Sequence, residues 1–157
     1  MSRSVLVIGG SGFADRLKGT DKTVKTPFGD VPLLTSQIGG KNVYAIRRHG
    51  SGHTVPPHMV NYWAHIAAAR EIHADAIFAS TAVGIISSPT YQPGDLMLCR
   101  DLIALNPTLR GRTITFFDSF EDGIHHTDMS ESFSTKLNML LLDAARQSGV
   151  VLNPSGA

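Results

Sequence analysis

Near the start of the chain, four apolar residues run without a break, Val5-Leu6-Val7-Ile8, and stop at Gly9-Gly10-Ser11-Gly12. A strand with one wet face alternates apolar and polar residues, so an unbroken run predicts a strand buried on both faces, closed by a tight turn. Residues 76–80 repeat the pattern and lead into Thr81-Ala82-Val83-Gly84. Between these runs, residues 33–38 and 42–46 read as two strands joined by Gly39-Gly40. Val60, Trp63, Ala64 and Ala67 follow the i, i+3, i+4, i+7 rule and predict a helix over about 58–73. A turn at Gln92-Pro93-Gly94-Asp95 precedes a further strand starting at 96–99, and residues 106–128 are polar and irregular. Leu137, Leu140, Leu141, Ala144 and Ala145 mark a last helix, with Ser134 as its N-cap and Gly149 as its stop. Strands and helices alternate, so the expected class is α/β, a central sheet covered by helices.

The 157 residues suffice for one domain with a core, and a single domain over 1–157 is expected. Apolar residues make up 42% and charged residues 17%, a globular balance. The net charge of +1 provides no field for nucleic acid, so any anion must be held by a local cluster. One cysteine, Cys99, permits no internal disulfide and no CxxC zinc pair, and it lies in an apolar run where an inert thiol is expected. A reduced, cytoplasmic setting follows by default. No secretion signal and no membrane span are read from the sequence.

Three features fall at the ends of inferred strands: 9–12, 47–50 and 80–84. In open α/β sheets, ligands collect outside the carboxyl ends of strands. The middle feature opens the run Arg47-Arg48-His49-Gly50-Ser51-Gly52-His53. Arginine presents a planar fork of donors that fits a phosphate edge, and neighbouring glycines let backbone approach a ligand. Ser11 and Thr81 add hydroxyls, and small residues around Ala82 leave room for an anion against the main chain. For Arg48, the ordinary alternative is a surface salt bridge. His49 and His53 have i, i+4 spacing, but the glycines between them oppose a helix and no glutamate intervenes, so no metal is expected. Trp63 is expected to pack in the core. The carboxylates are scattered and show no acid/base pair.

The order GGSG, TPFG, RRHGSGHTVPPHMVNYWAHIAA, STAVG, QPGD, FFD, HTDMSESFS resembles the trimeric purine nucleoside phosphorylases, closest to the methylthioadenosine and methylthioinosine phosphorylase branch. The resemblance runs from residue 5 to about 149 and is most specific in the block at 47–68. It implies a mixed, twisted sheet flanked by helices. It also implies phosphorolysis of a purine (methylthio)nucleoside to free base and pentose 1-phosphate, with inorganic phosphate as co-substrate and no other cofactor. By the same resemblance, Ser11, Arg48, His49, Thr81 and Ala82 bind phosphate, and His126 serves the 5′ region of a neighbouring subunit's substrate. Arg47, His53, Asn61 and Tyr62 take supporting roles, and the assembly is a homo-oligomer, a trimer or a multiple of it.

The sequence also departs from that pattern. The loop after Phe28-Gly29-Asp30 lacks the family's Pro-Ser step, and no segment supplies the sugar-binding motif or the aspartate that protonates the purine. The C-terminal part of the fold is therefore expected to be missing. The chain is expected to hold the phosphate half of the site and to turn over little by itself. The alternatives are an inactive truncated homologue that binds phosphate or serves as a subunit, and a nucleotide-binding α/β module.

Overall fold

The structure is a computed structural model that describes residues 3–10, 12, 16–86, 90–105, 108–109, 111–121 and 123–154. The chain divides into two compact units, Met1–Val83 and Gly84–Ala157.

The first unit is built on a five-stranded sheet. Its strands are β1 (Ser4–Gly9), β2 (Thr20–Val24), β3 (Val31–Ile38), β4 (Lys41–Arg47) and β5 (Ala76–Ala79), in the order β2-β3-β4-β1-β5. β2, β3 and β4 are antiparallel neighbours, whereas β4, β1 and β5 are parallel, so the sheet is mixed. Gly39 (φ 56°) and Gly40 (φ 72°) turn β3 into β4, with Ile38 opposite Lys41. Two successive positive φ angles match the twist of a two-residue hairpin, and glycine reaches them without strain.

Helix α1 (Tyr62–Glu71) links β4 to β5, and its Ala64, Ala68 and Ala69, with the C-cap residue Ile72, cluster with Leu6, Ile8, Leu33 and Ile46 in the core. The helix starts later than the expected 58, because residues 57–59 form a separate 3-10 turn with Pro57 in its first position. The buried stripe is also rotated: Ala68 is fully buried and Ala67 only half so. Trp63 is buried, as expected. Asn61 caps the helix by accepting from Ala64 N (3.3 Å), and its Nδ2 donates to Phe28 O (2.7 Å), tying the 26–29 turn to the helix start.

Leu6 and Ile8 are buried while Val5 and Val7 are half-buried, so β1 is covered completely on one face and partly on the other. The sequence pattern does not mark β2. Its only buried residue is Val24, and an edge strand wet on both faces leaves no apolar alternation to detect.

In the second unit, β6 (Leu96–Met97) and β9 (Leu152–Asn153) pair in parallel, with α2 (Thr135–Gln147) between them in sequence. Ser134 Oγ accepts from Leu137 N (3.4 Å) at the predicted cap, and Gly149 has φ 68° just beyond the helix. The stretch read as irregular contains one short hairpin, β7 (Thr108–Leu109) with β8 (Arg112–Thr113). Cys99, expected to sit in an apolar run, is exposed. Among the described residues no helix is long and apolar enough to cross a membrane.

Candidate functional site

Because β4, β1 and β5 are adjacent and parallel, their carboxyl ends lie side by side. The ladder continues one step past each end. Arg48 N donates to Gly9 O (3.1 Å) and Ser80 N donates to Ile8 O (3.0 Å). Both residues are thereby fixed on either side of β1, where main-chain geometry and not a flexible loop sets their positions.

The Arg48 side chain bridges the gap. Its Nη1 donates to Ser80 O (2.9 Å) and its Nη2 to Thr81 Oγ1 (3.2 Å). The guanidinium therefore passes over the end of β1, where Gly10 sits. A Cβ at Gly10 would lie 3.1 Å from Arg48 Nη2 and 3.0 Å from Ser80 O, so the glycine is needed for close approach. Gly10 N donates to Ser80 Oγ (3.3 Å), which draws the first glycine loop toward β5.

His49 is held from the other side. Val55 N donates to His49 O (2.8 Å), and His49 Nδ1 lies 3.0 Å from Val55 O. Because a carbonyl only accepts, Nδ1 carries the proton, and Nε2 is left to accept from Arg48 Nε at 3.4 Å. The hook from His49 to Val55 turns at Gly50 (φ 73°), where a Cβ would lie 2.6 Å from Thr54 Oγ1. His53 stacks on His49 with ring centroids 6.1 Å apart.

Arg48 thus commits three of its five N–H groups and keeps two. Among the described residues no carboxylate pairs with it; the ion pairs are Arg112–Asp118 and Arg146–Asp143. Held by a carbonyl and a hydroxyl, this half-buried guanidinium presents two free N–H groups on one planar fork, which suit a tetrahedral oxyanion. His65 on α1 adds a second feature. It is buried, its Nδ1 has no hydrogen-bond partner, and its pKa is lowered to about 4, first by burial and then by the Arg48 charge.

Of the residues expected to bind an anion, Arg48, His49 and Thr81 are brought together. Ala82 follows directly, its carbonyl accepting from Thr81 Oγ1 (3.4 Å). Ser11 lies outside the described residues. His126 is exposed in the second unit. Gly10 and Ser80 lie in the strand-end features at 9–12 and 80–84, where Gly10 acts by lacking a side chain and Ser80 through its carbonyl and its Oγ; Val55 carried no signal in the sequence, because it acts through a main-chain carbonyl, which every residue has. Among the described residues no three His, Cys, Asp or Glu side chains group as a metal site.

Comparison with known proteins adds an independent line. The profile of the phosphorylase superfamily matches residues 4–156. The chain is 39% identical over 143 residues to a probable S-methyl-5'-thioinosine phosphorylase of Methanopyrus kandleri, a match covering 91% of this chain and 54% of the relative. It is 33% identical to the 6-oxopurine nucleoside phosphorylase of Pyrococcus furiosus, covering 97% of this chain and 58% of that protein. Among solved structures, apo methylthioadenosine phosphorylase from Schistosoma mansoni superimposes with a TM-score of 0.81 at 32% identity, covering 94% of this chain and 54% of that one. The chain spans about half the length of the curated relatives it matches, aligned with their N-terminal part. From residue 4 to residue 156, then, this chain belongs to the phosphorylase superfamily.

Proposed function

We propose that the Arg48 cluster binds inorganic phosphate as the phosphate half of a site for phosphorolysis of a purine nucleoside, methylthio-substituted or not. The observation that carries this reading is the Arg48 fork, which no carboxylate pairs with among the described residues, set between Ser80 O and Thr81 Oγ1 at the ends of three parallel strands. Relatives named as methylthioinosine and 6-oxopurine nucleoside phosphorylases supply the substrate class. In this reaction the glycosidic bond breaks toward the base, leaving an electron-poor anomeric carbon. A phosphate oxygen forms the new bond to that carbon, hydrogen phosphate gives up its proton to solvent, and the departing base takes one up. Positioning and electrostatics carry such chemistry, and a fixed arginine supplies both to the phosphate. Inorganic phosphate is then the co-substrate, with no other cofactor required. His49, Ser11 and the Ala82 main chain complete the phosphate shell in this reading. His126 serves the 5′ region of a neighbouring subunit's substrate in a trimer or a multiple of one, working in the cytoplasm.

A second reading is favoured by the half-length match: phosphate binding without turnover by the 157-residue chain. Calorimetry with phosphate, followed by assay of free base and pentose 1-phosphate, separates the two. Turnover supports the first reading, and binding alone supports the second. Preference for a nucleotide over phosphate overturns both. Arg48→Ala removes charge-assisted bonds of about 1.5–3 kcal/mol each and is expected to weaken phosphate binding at least tenfold. Unchanged affinity would take Arg48 out of the site.

A further inference from the structure

The His49 ring is fixed at both of its nitrogens. Its Nδ1 donates to Val55 O (3.0 Å) and Val55 N donates back to His49 O (2.8 Å), so turning the ring over would break one arm of that hook. With the proton on Nδ1, the lone pair is on Nε2, and Nε2 faces the Arg48 Nε–H at 3.4 Å. A second proton on Nε2 would point at that N–H. Among the described contacts, Arg48 and the stacked His53 ring are the charged and titratable groups set against His49. The cluster therefore offers an anion donors from the guanidinium and one acceptor from the imidazole.

The contact between Nε2 and Arg48 Nε is long. A bond donated by N–H ordinarily spans about 2.9–3.0 Å, and at 3.4 Å little energy holds the two groups together. Groups that meet this poorly are open to a ligand that satisfies both. Hydrogen phosphate is such a ligand: its charged oxygens accept from Nε–H and from the two uncommitted N–H groups of the fork, and its hydroxyl donates to Nε2. Sulfate has the same tetrahedral shape and, at mildly alkaline pH, the same charge, but it has no hydrogen to give. One of its oxygens would meet the Nε2 lone pair, and a polar group left without its partner costs affinity.

We propose that His49 Nε2 is a specificity-determining acceptor, which reads the hydroxyl of a protonated oxyanion and so selects phosphate or arsenate over sulfate. The inference rests on the reading of the Arg48 cluster as a phosphate site. It adds a hydrogen-bonding criterion to one of shape and charge, since the Arg48 fork and the Thr81 hydroxyl by themselves would serve any tetrahedral dianion. Gly50 (φ 73°) and the Val55 carbonyl are positioning groups in this scheme, because they hold the tautomer on which the selection depends.

The test is calorimetry on the 157-residue chain with phosphate, arsenate and sulfate, at mildly alkaline pH and equal ionic strength, in two buffers of different ionisation enthalpy. Phosphate and arsenate are expected to bind within a few-fold of each other and sulfate about tenfold or more weaker, with no net proton taken up. His49→Gln, whose amide donates as well as accepts, is expected to bring the three affinities together. Sulfate binding as tightly as phosphate overturns the inference and leaves the phosphate reading standing. Uptake of about one proton per anion does the same, because His49 would then bind as an imidazolium donor. Full phosphate preference in a folded His49→Gln chain also overturns it. If that variant does not fold, the anion series and the proton count on the unmodified chain decide alone. Failure to bind any of the three anions overturns the phosphate reading and this inference with it.

Discussion

Arg48 shows how one side chain is made useful by its neighbours, through a carbonyl, a hydroxyl and a missing side chain. Its fork is held at Ser80 O and Thr81 Oγ1, and Gly10 leaves the space it crosses. Gly10→Ala is expected to displace the guanidinium by a few tenths of an ångström and weaken phosphate binding several-fold while leaving the fold intact; calorimetry beside a thermal melt checks both. Gly50→Ala is harsher. It places a side chain at positive φ and drives a Cβ to 2.6 Å from Thr54 Oγ1. A loss of about 1–3 kcal/mol in denaturant unfolding is expected. His65 supplies a pH dependence. Its folded pKa of about 4 lies below the ordinary 6.5, so between these values the unfolded chain binds a proton that the folded one does not. Stability from this group is therefore full above pH 6.5, falls as pH drops toward 4, and then levels off. The total loss is about 3 kcal/mol. Replacing the ring by His65→Gln is expected to flatten unfolding free energy across that window; an unchanged slope would show that His65 is not the group responsible.

At the scale of elements, α1 depends on its first turn. Asn61 caps the helix and also holds the Phe28 carbonyl, so Asn61→Ala removes a cap and leaves a part-buried acceptor without its donor. An unfolding cost of about 1–2 kcal/mol is expected, with little change in phosphate affinity, since Asn61 touches none of the Arg48 partners. The elements legible in the sequence were those whose side chains advertise their surroundings: β1 and β5 by unbroken apolar runs, the β3–β4 hairpin by its glycine pair, α2 by its cap and leucine spacing. β2 escaped because a polar edge strand is defined by its partner's main chain. The start of α1 moved because Pro57 favours a first-turn position, which here belongs to a separate 3-10 turn.

On the scale of the whole molecule, the five-stranded sheet ends among the described strands in the charged β2 on one side and the uncharged β5 on the other, and the chain matches about half of its relatives' length. On the second reading, purified 157-residue chain is expected to bind phosphate with little or no release of free base from methylthioadenosine, methylthioinosine or inosine. Robust turnover in a coupled base-release assay would show that these residues already contain a complete site.

Apolar runs, glycine turns and the arginine–histidine block were enough to determine an α/β chain, the strands that matter and the residue types suited to an oxyanion, because each of those properties belongs to a side chain or to a glycine's missing one. Only the tertiary structure decided that β4, β1 and β5 stand next to one another in parallel. That order sets Arg48 against Ser80 O and Thr81 Oγ1, thirty-two and thirty-three residues away, and fixes the His49 tautomer through the Val55 carbonyl. Strand order and carbonyl direction come from main-chain hydrogen bonding across the sheet, which is nearly the same for every residue type and so leaves little trace in the letters.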